Sequence, residues 1–146
     1  MLKRSYFAAA NGYSGFRSYF NDIFISEKFK RIFILKGGPG TGKSTLMKRV
    51  VHFADCEGMD YEKIHCSSDP YSLDGVIINT NGKRYAIIDG TAPHERDAVI
   101  PGAIDTIVNL GDSFNISSLE SKRDEIIHLN QKKKKAYKKA RQGCFS

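Results

Sequence analysis

The stretch Arg31-Ile32-Phe33-Ile34-Leu35-Lys36-Gly37-Gly38-Pro39-Gly40-Thr41-Gly42-Lys43-Ser44-Thr45 decides how this chain is read. An apolar, β-rich run from Arg31 to Leu35 enters glycines at 37, 38, 40 and 42, and the segment beyond places Leu46, Val50 and Phe53 at helical spacing. Gly37 to Ser44 fits G-x-x-x-x-G-K-[ST], with the strand before it and the helix after it that this motif requires.

A polyphosphate must be approached closely by several backbone N–H groups at once. Glycines let a loop curl around it with no side chain in the way. The start of a helix adds free N–H groups and the positive end of its dipole. On this reading Gly37, Gly38, Pro39, Gly40, Thr41, Gly42, Lys43, Ser44 and Thr45 form a Walker A loop. Lys43 is placed to reach the β and γ phosphates, the Ser44 hydroxyl to ligate Mg²⁺, and Thr45 to help at the α phosphate.

Downstream, Tyr85-Ala86-Ile87-Ile88-Asp89 is an apolar strand ending in a carboxylate, the Walker B pattern. Asp89 beside Mg²⁺ would hold the ion without displacing its waters, and Lys43 with Asp89 forms the expected catalytic pair. Many hydrolysing P-loop ATPases carry a water-polarising glutamate at the next position, which here is Gly90. Glu95, His94 and Asp69 are candidate substitutes, and Arg96 is a candidate charge-neutralising finger. Spacing does not select among them.

Around this centre, residues 4 to 24 are rich in aromatic side chains, including Tyr6, Tyr13, Phe16, Phe20 and Phe24. A short strand (Ser5 to Ala8), a turn at Asn11-Gly12 and a helix (Ser14 to Ile25) are expected here. The rings are read as core in preference to a base-stacking role for Tyr13 or Phe16. Tyr61 to Cys66 reads as a second strand running into a polar loop, Ser67 to Gly75. If that strand is parallel to the first, Ser67, Ser68, Asp69 and Asp74 share the rim of the phosphate loop, as substrate contacts or as a structural turn. Asn81-Gly82 predicts a tight reversal between two strands. Asp105 to Leu110 is the last expected strand, and Ser117-x-x-Glu120 reads as a capping box opening a helix from Ser118 to Arg141, whose early apolar positions (Leu119, Ile126, Ile127, Leu129) can pack.

The net charge of +7 is localised: from Lys122 onward there are nine basic and two acidic residues, and the 121 residues before them carry 14 of each sign. The charge therefore belongs to the C-terminal helix and not to the nucleotide-binding body. A solvated helix face is preferred over contact with nucleic acid or acidic lipid. The chain has 146 residues, enough for one domain with a core, and is divided here into residues 1–117, the nucleotide-binding domain, and 118–146, the basic helix. With no run of 18 apolar residues, no signal-peptide segment, and three cysteines at no metal-ligand spacing, a cytoplasmic protein without membrane contact is expected.

Gly37 to Thr45, the stretch Cys66-Ser67-Ser68-Asp69-Pro70 to Leu73-Asp74-Gly75-Val76-Ile77, and Ile88-Asp89-Gly90-Thr91-Ala92-Pro93-His94 together resemble a family of bacterial P-loop ATP-binding proteins. The resemblance runs from about Phe7 to Leu110. It implies ATP binding with ATPase or nucleotide-kinase-like activity. It also implies longer chains with two related P-loop halves, of which this is the N-terminal one, its basic helix leading toward the second and its Gly143-Cys144-Phe145-Ser146 ending agreeing with truncation.

The expected fold is α/β, a three-layer α/β/α P-loop domain with a mostly parallel sheet of four or five strands. Three functions stay open. One is an Mg²⁺-dependent ATPase. A second is a kinase for a nucleotide or other small-molecule acceptor, favoured by the Gly37-Gly38-Pro39-Gly40 opening but lacking an arginine-rich lid between Asp89 and Ser118. The third is a non-hydrolysing module that binds ATP and engages a partner through the basic helix. In each, a second P-loop domain or another copy of the chain is a candidate to complete the site.

Overall fold

The computed structural model describes residues 2–91, 95–113 and 116–143. Ala92, Pro93, His94, Phe114, Asn115 and the Cys144-Phe145-Ser146 ending lie outside them. The chain forms strands β1 (Lys3–Phe7), β2 (Ala9–Gly12), β3 (Gly15–Ser18), β4 (Arg31–Lys36), β5 (Asp60–His65), β6 (Leu73–Thr80), β7 (Lys83–Asp89) and β8 (Asp105–Asn109), with helices α1 (Phe20–Ile23), α2 (Lys43–Cys56), α3 (Ile116–Ser121) and α4 (Arg123–Gly143).

Six strands make one mixed sheet in the order β1-β5-β6-β7-β4-β8. β1 runs parallel to β5, and β4 runs parallel to both β7 and β8. β6 alone is reversed, antiparallel to β5 and to β7. The β6–β7 connection is the expected tight reversal, with Asn81 (φ 52°) and Gly82 (φ 71°) both in the left-handed conformation that two-residue hairpins favour. β5 therefore points the same way as β4, so the chain leaves both strands on one rim.

Alternation along the strands sorts the core into two faces. Leu35, Leu73 and Val76 face α2, where they meet Met47 with Val50 and Val51. The core-facing stripe of α2 is thus Met47 and Ala54 with half-buried Val50 and Val51, while Leu46 (37% exposed) and Phe53 (56%), which share helical spacing with Val50, lie off it. On the other face Ile32, Ile34, Ile64, Ile77, Ala86 and Ile88 are covered by Phe20, Phe24 and Phe29. Phe20 and Phe24 stack at 4.7 Å, and Arg84 lies over Phe29 at 4.6 Å.

The aromatic segment departs from expectation. No helix spans Ser14 to Ile25; β2 and β3 form an antiparallel hairpin, closed at its base where Tyr19 N–H donates to Ala8 O at 2.8 Å. Asn11-Gly12 ends β2 and is not the turn, which falls at Tyr13-Ser14. The core reading holds for Phe20 and Phe24 but not for Tyr13, 69% exposed at the hairpin tip. Nor does the polar loop reach Gly75, because Leu73, Asp74 and Gly75 are the buried opening of β6. At the C-terminal end α3 already begins at Ile116, so Ser117 lies inside a helix, and a break at Lys122 separates α3 from α4. Ile126, Ile127 and Leu129 are exposed, and so are the other α4 side chains from Arg123 to Ala140.

Candidate functional site

The carboxyl end of β4 releases the glycine loop directly into α2. Gly40 (φ 79°) and Gly42 (φ 90°) take conformations that L side chains avoid. A Cβ added at Gly38, Gly40 or Gly42 would meet nothing, so the loop faces open space. Gly42 is the N-cap of α2 and no side chain caps it, among the described residues. The first intrahelical bond is Leu46 N–H to Gly42 O at 2.9 Å, which leaves the N–H groups of Lys43, Ser44 and Thr45 at the positive end of a 14-residue helix.

Register brings the second motif alongside. Leu35 pairs with Asp89, and Gly90 N–H donates to Leu35 O at 2.9 Å, extending the β4–β7 ladder by one residue. Asp89 thereby arrives opposite the start of the loop. Lys43 Nζ lies 3.4 Å from Asp89 Oδ1, and donates to Gly37 O at 2.5 Å and to Thr91 Oγ1 at 2.6 Å. The pair is largely buried, with side-chain exposures of 12% and 18%. Desolvating two charges offsets much of their attraction, so such a pair is a poor source of stability. Ser44 Oγ accepts the Leu73 N–H at 3.0 Å, which ties the helix start to β6 and leaves its O–H and second lone pair.

Thr91 was given no role by sequence reasoning. Its N–H donates to Asp89 Oδ1 at 2.9 Å, its hydroxyl is hydrogen-bonded to the same oxygen, and Gly37 O is 3.2 Å away.

The candidates for a water-activating base are not gathered here. A Cβ at Gly90 would lie 2.3 Å from Ile34 Cγ2, so no side chain fits at that position as the chain stands. Asp69 is engaged in its own turn, accepting Tyr71 N–H at 3.0 Å through Oδ1 and Ser72 N–H at 2.9 Å through its carbonyl. Ser67 lies 3.5 Å from Asn11 Nδ2, and Asp74 is buried in β6. Burial pushes the Cys66 thiol above its usual pKa, so it is not a thiolate at neutral pH. Glu95 is exposed, and His94 falls outside the described residues.

Arg96 is not turned toward Lys43. Its Nη2 donates to Ser26 Oγ at 3.0 Å and lies 3.8 Å from Asp105 Oδ1, both partners being buried. Burial pulls this guanidinium below the usual arginine value, and the Asp105 carboxylate opposes that shift. Asp105 also accepts the Val99 and Ile100 N–H groups at 2.9 and 2.7 Å. This network borders a cavity of about 400 Å³ lined by Phe24, Ser26, Glu27, Arg96 and Val99, on the sheet face away from α2. Lys36 bridges the two regions, donating to Gly90 O at 2.7 Å with Asp97 3.6 Å away.

No cluster of three or more His, Cys, Asp or Glu side chains suited to a metal exists among the described residues. At the loop the protein oxygens on hand are Ser44 Oγ and the Asp89 carboxylate, hard donors of the kind Mg²⁺ takes alongside waters and phosphates. No helix among the described residues is long and apolar enough to cross a membrane.

Over 65 residues the chain is 31% identical to an AAA-ATPase of Arabidopsis thaliana, an alignment covering 44% of this chain and 13% of the plant protein. No protein-family model matches, and no solved structure matches.

Proposed function

We propose that this chain is an Mg²⁺-dependent ATP-binding domain of the P-loop type, and an ATPase. Its three layers are α2, the mixed sheet, and the segment around α1. The observation that carries the reading is the position of the Lys43 ammonium, held between Gly37 O, Thr91 Oγ1 and Asp89 beside the uncapped start of α2. The similarity to a plant AAA-ATPase over part of the chain supports ATP as the ligand.

In this reading the N–H groups of the glycine loop and of Lys43 to Thr45 receive the phosphates, and Lys43 neutralises the β and γ oxygens. Ser44, through its remaining lone pair, and Asp89, through water, hold the ion. Bound Mg²⁺ would supply charge neutralisation at the phosphate oxygens.

A kinase is the second reading, favoured by Gly90: no base can stand directly after Asp89, and transfer to a hydroxyl or phosphate acceptor does not need that glutamate. Single-turnover consumption of ATP labelled at the γ position, with and without a pool of nucleosides and nucleotides, separates the two. Phosphate released without acceptor supports the ATPase, and label recovered on one pool member supports the kinase. Lys43→Ala should lower ATP affinity at least about 100-fold, since it removes a largely buried charge-assisted contact. Undiminished binding by that variant would remove the basis of the proposal.

A further inference from the structure

Thr91 stands at the centre of the contacts between the two motifs. A threonine hydroxyl has one O–H and two lone pairs. One lone pair receives Lys43 Nζ at 2.6 Å, and the O–H is directed to Asp89 Oδ1, to which the Thr91 N–H also donates. The carboxylate and the ammonium are therefore bridged through a neutral hydroxyl, with 3.4 Å between them.

Every hydrogen bond or ion pair that the described residues make to the Asp89 carboxylate goes to Oδ1: the Thr91 N–H, the Thr91 hydroxyl and Lys43. Two donors from one residue fix the rotation of the carboxylate and leave Oδ2 as the oxygen available to a hydrated cation. We infer that Thr91 is a positioning residue for the site proposed above: its hydroxyl keeps Lys43 from closing on Asp89, so that the Asp89 carboxylate stays available to the metal's water shell.

This inference rests on the ATP-binding reading and adds to it a residue that neither motif contains. Removing the hydroxyl takes away one donor to Oδ1 and one acceptor from Lys43. The nearest replacement for both is the direct Lys43–Asp89 contact, which neutralises the carboxylate on which the metal depends. The loss falls mainly on the advantage that Mg²⁺ confers.

The test is the ratio of ATP affinity in Mg²⁺ buffer to that in EDTA, measured by titration calorimetry for the wild type and for Thr91→Val, Thr91→Ala and Thr91→Ser, with thermal melts confirming folding. Valine keeps the shape of threonine and alanine relieves any packing strain, so at least one folded variant lacking the hydroxyl is expected. In the hydroxyl-free variants the ratio should fall about tenfold, the effect of one charge-assisted hydrogen bond, while affinity in EDTA changes by less than about threefold. Serine should restore the wild-type ratio. An unchanged ratio, equal losses in both buffers, or failure of serine to restore it would each overturn the role. A wild-type chain that binds ATP in neither buffer would overturn the ATP-binding reading itself, which a Thr91-specific failure would leave standing.

Discussion

At Gly90 the side chain is a hydrogen because Ile34, Arg96 and Lys36 occupy the space around it. The Ile34 methyl would be 2.3 Å from an added Cβ and the Arg96 carbonyl 3.3 Å. Ile34 is fully buried in β4 and cannot give way cheaply. Gly90→Ala should therefore cost about 1–3 kcal/mol in urea denaturation, the usual range for overpacking. It should also weaken ATP binding, because Thr91 is the next residue; an alanine variant with wild-type stability would refute this account of the position. Lys43, Ser44 and Asp89 were legible because each sits at a fixed offset within a motif whose flanking strand and helix can be recognised locally. Thr91 was not. Its relation to Lys43 spans 48 positions and exists only because β7 pairs with β4 in the register that sets Asp89 beside Leu35.

Among the elements, β4 and β7 were visible as apolar runs, α2 through helical spacing, and β5 and β8 as short stretches running into polar or glycine turns. The hairpin β2–β3 was not. Ala9-Ala10-Asn11-Gly12 has no β-branched residue to mark a strand, and Phe16, Phe20 and Phe24 recur every four positions in imitation of a helix. The backbone decides otherwise at Gly15, whose φ of 126° no helix accommodates, and the two later rings turn into the core. Their seat depends on a second glycine. A Cβ at Gly75 of β6 would lie 2.9 Å from Phe24 Cζ, and Phe24 is fully buried between Phe20 and Phe29. Gly75→Ala should destabilise the chain by about 1–3 kcal/mol through displacement of that ring, read as a lowered midpoint of chemical unfolding.

For the molecule as a whole, the sheet direction explains why so much chemistry converges. Five of its six strands run the same way, and the glycine loop, the turn at Asp69 to Ser72 and the Gly90-Thr91 pair all follow the carboxyl ends of β4, β5 and β7. Open α/β sheets bind ligands at that rim. The basic helix takes no visible part in it: all its described side chains are exposed, and it holds the excess charge of a chain whose first 121 residues are neutral. Strong charge on one exposed helix acts through long-range attraction and solubility more than through fold. Truncation after Ser121 should accordingly leave Tm within about 2 °C of the full chain, as expected for loss of a helix whose described side chains are exposed. Retention on a cation-exchange column should collapse, and Mg²⁺-dependent ATP affinity should persist. A Tm lowered by many degrees would show that α4 docks on the body in solution. Lost ATP affinity at unchanged Tm would place the helix's positive charge within the field that draws the phosphates in.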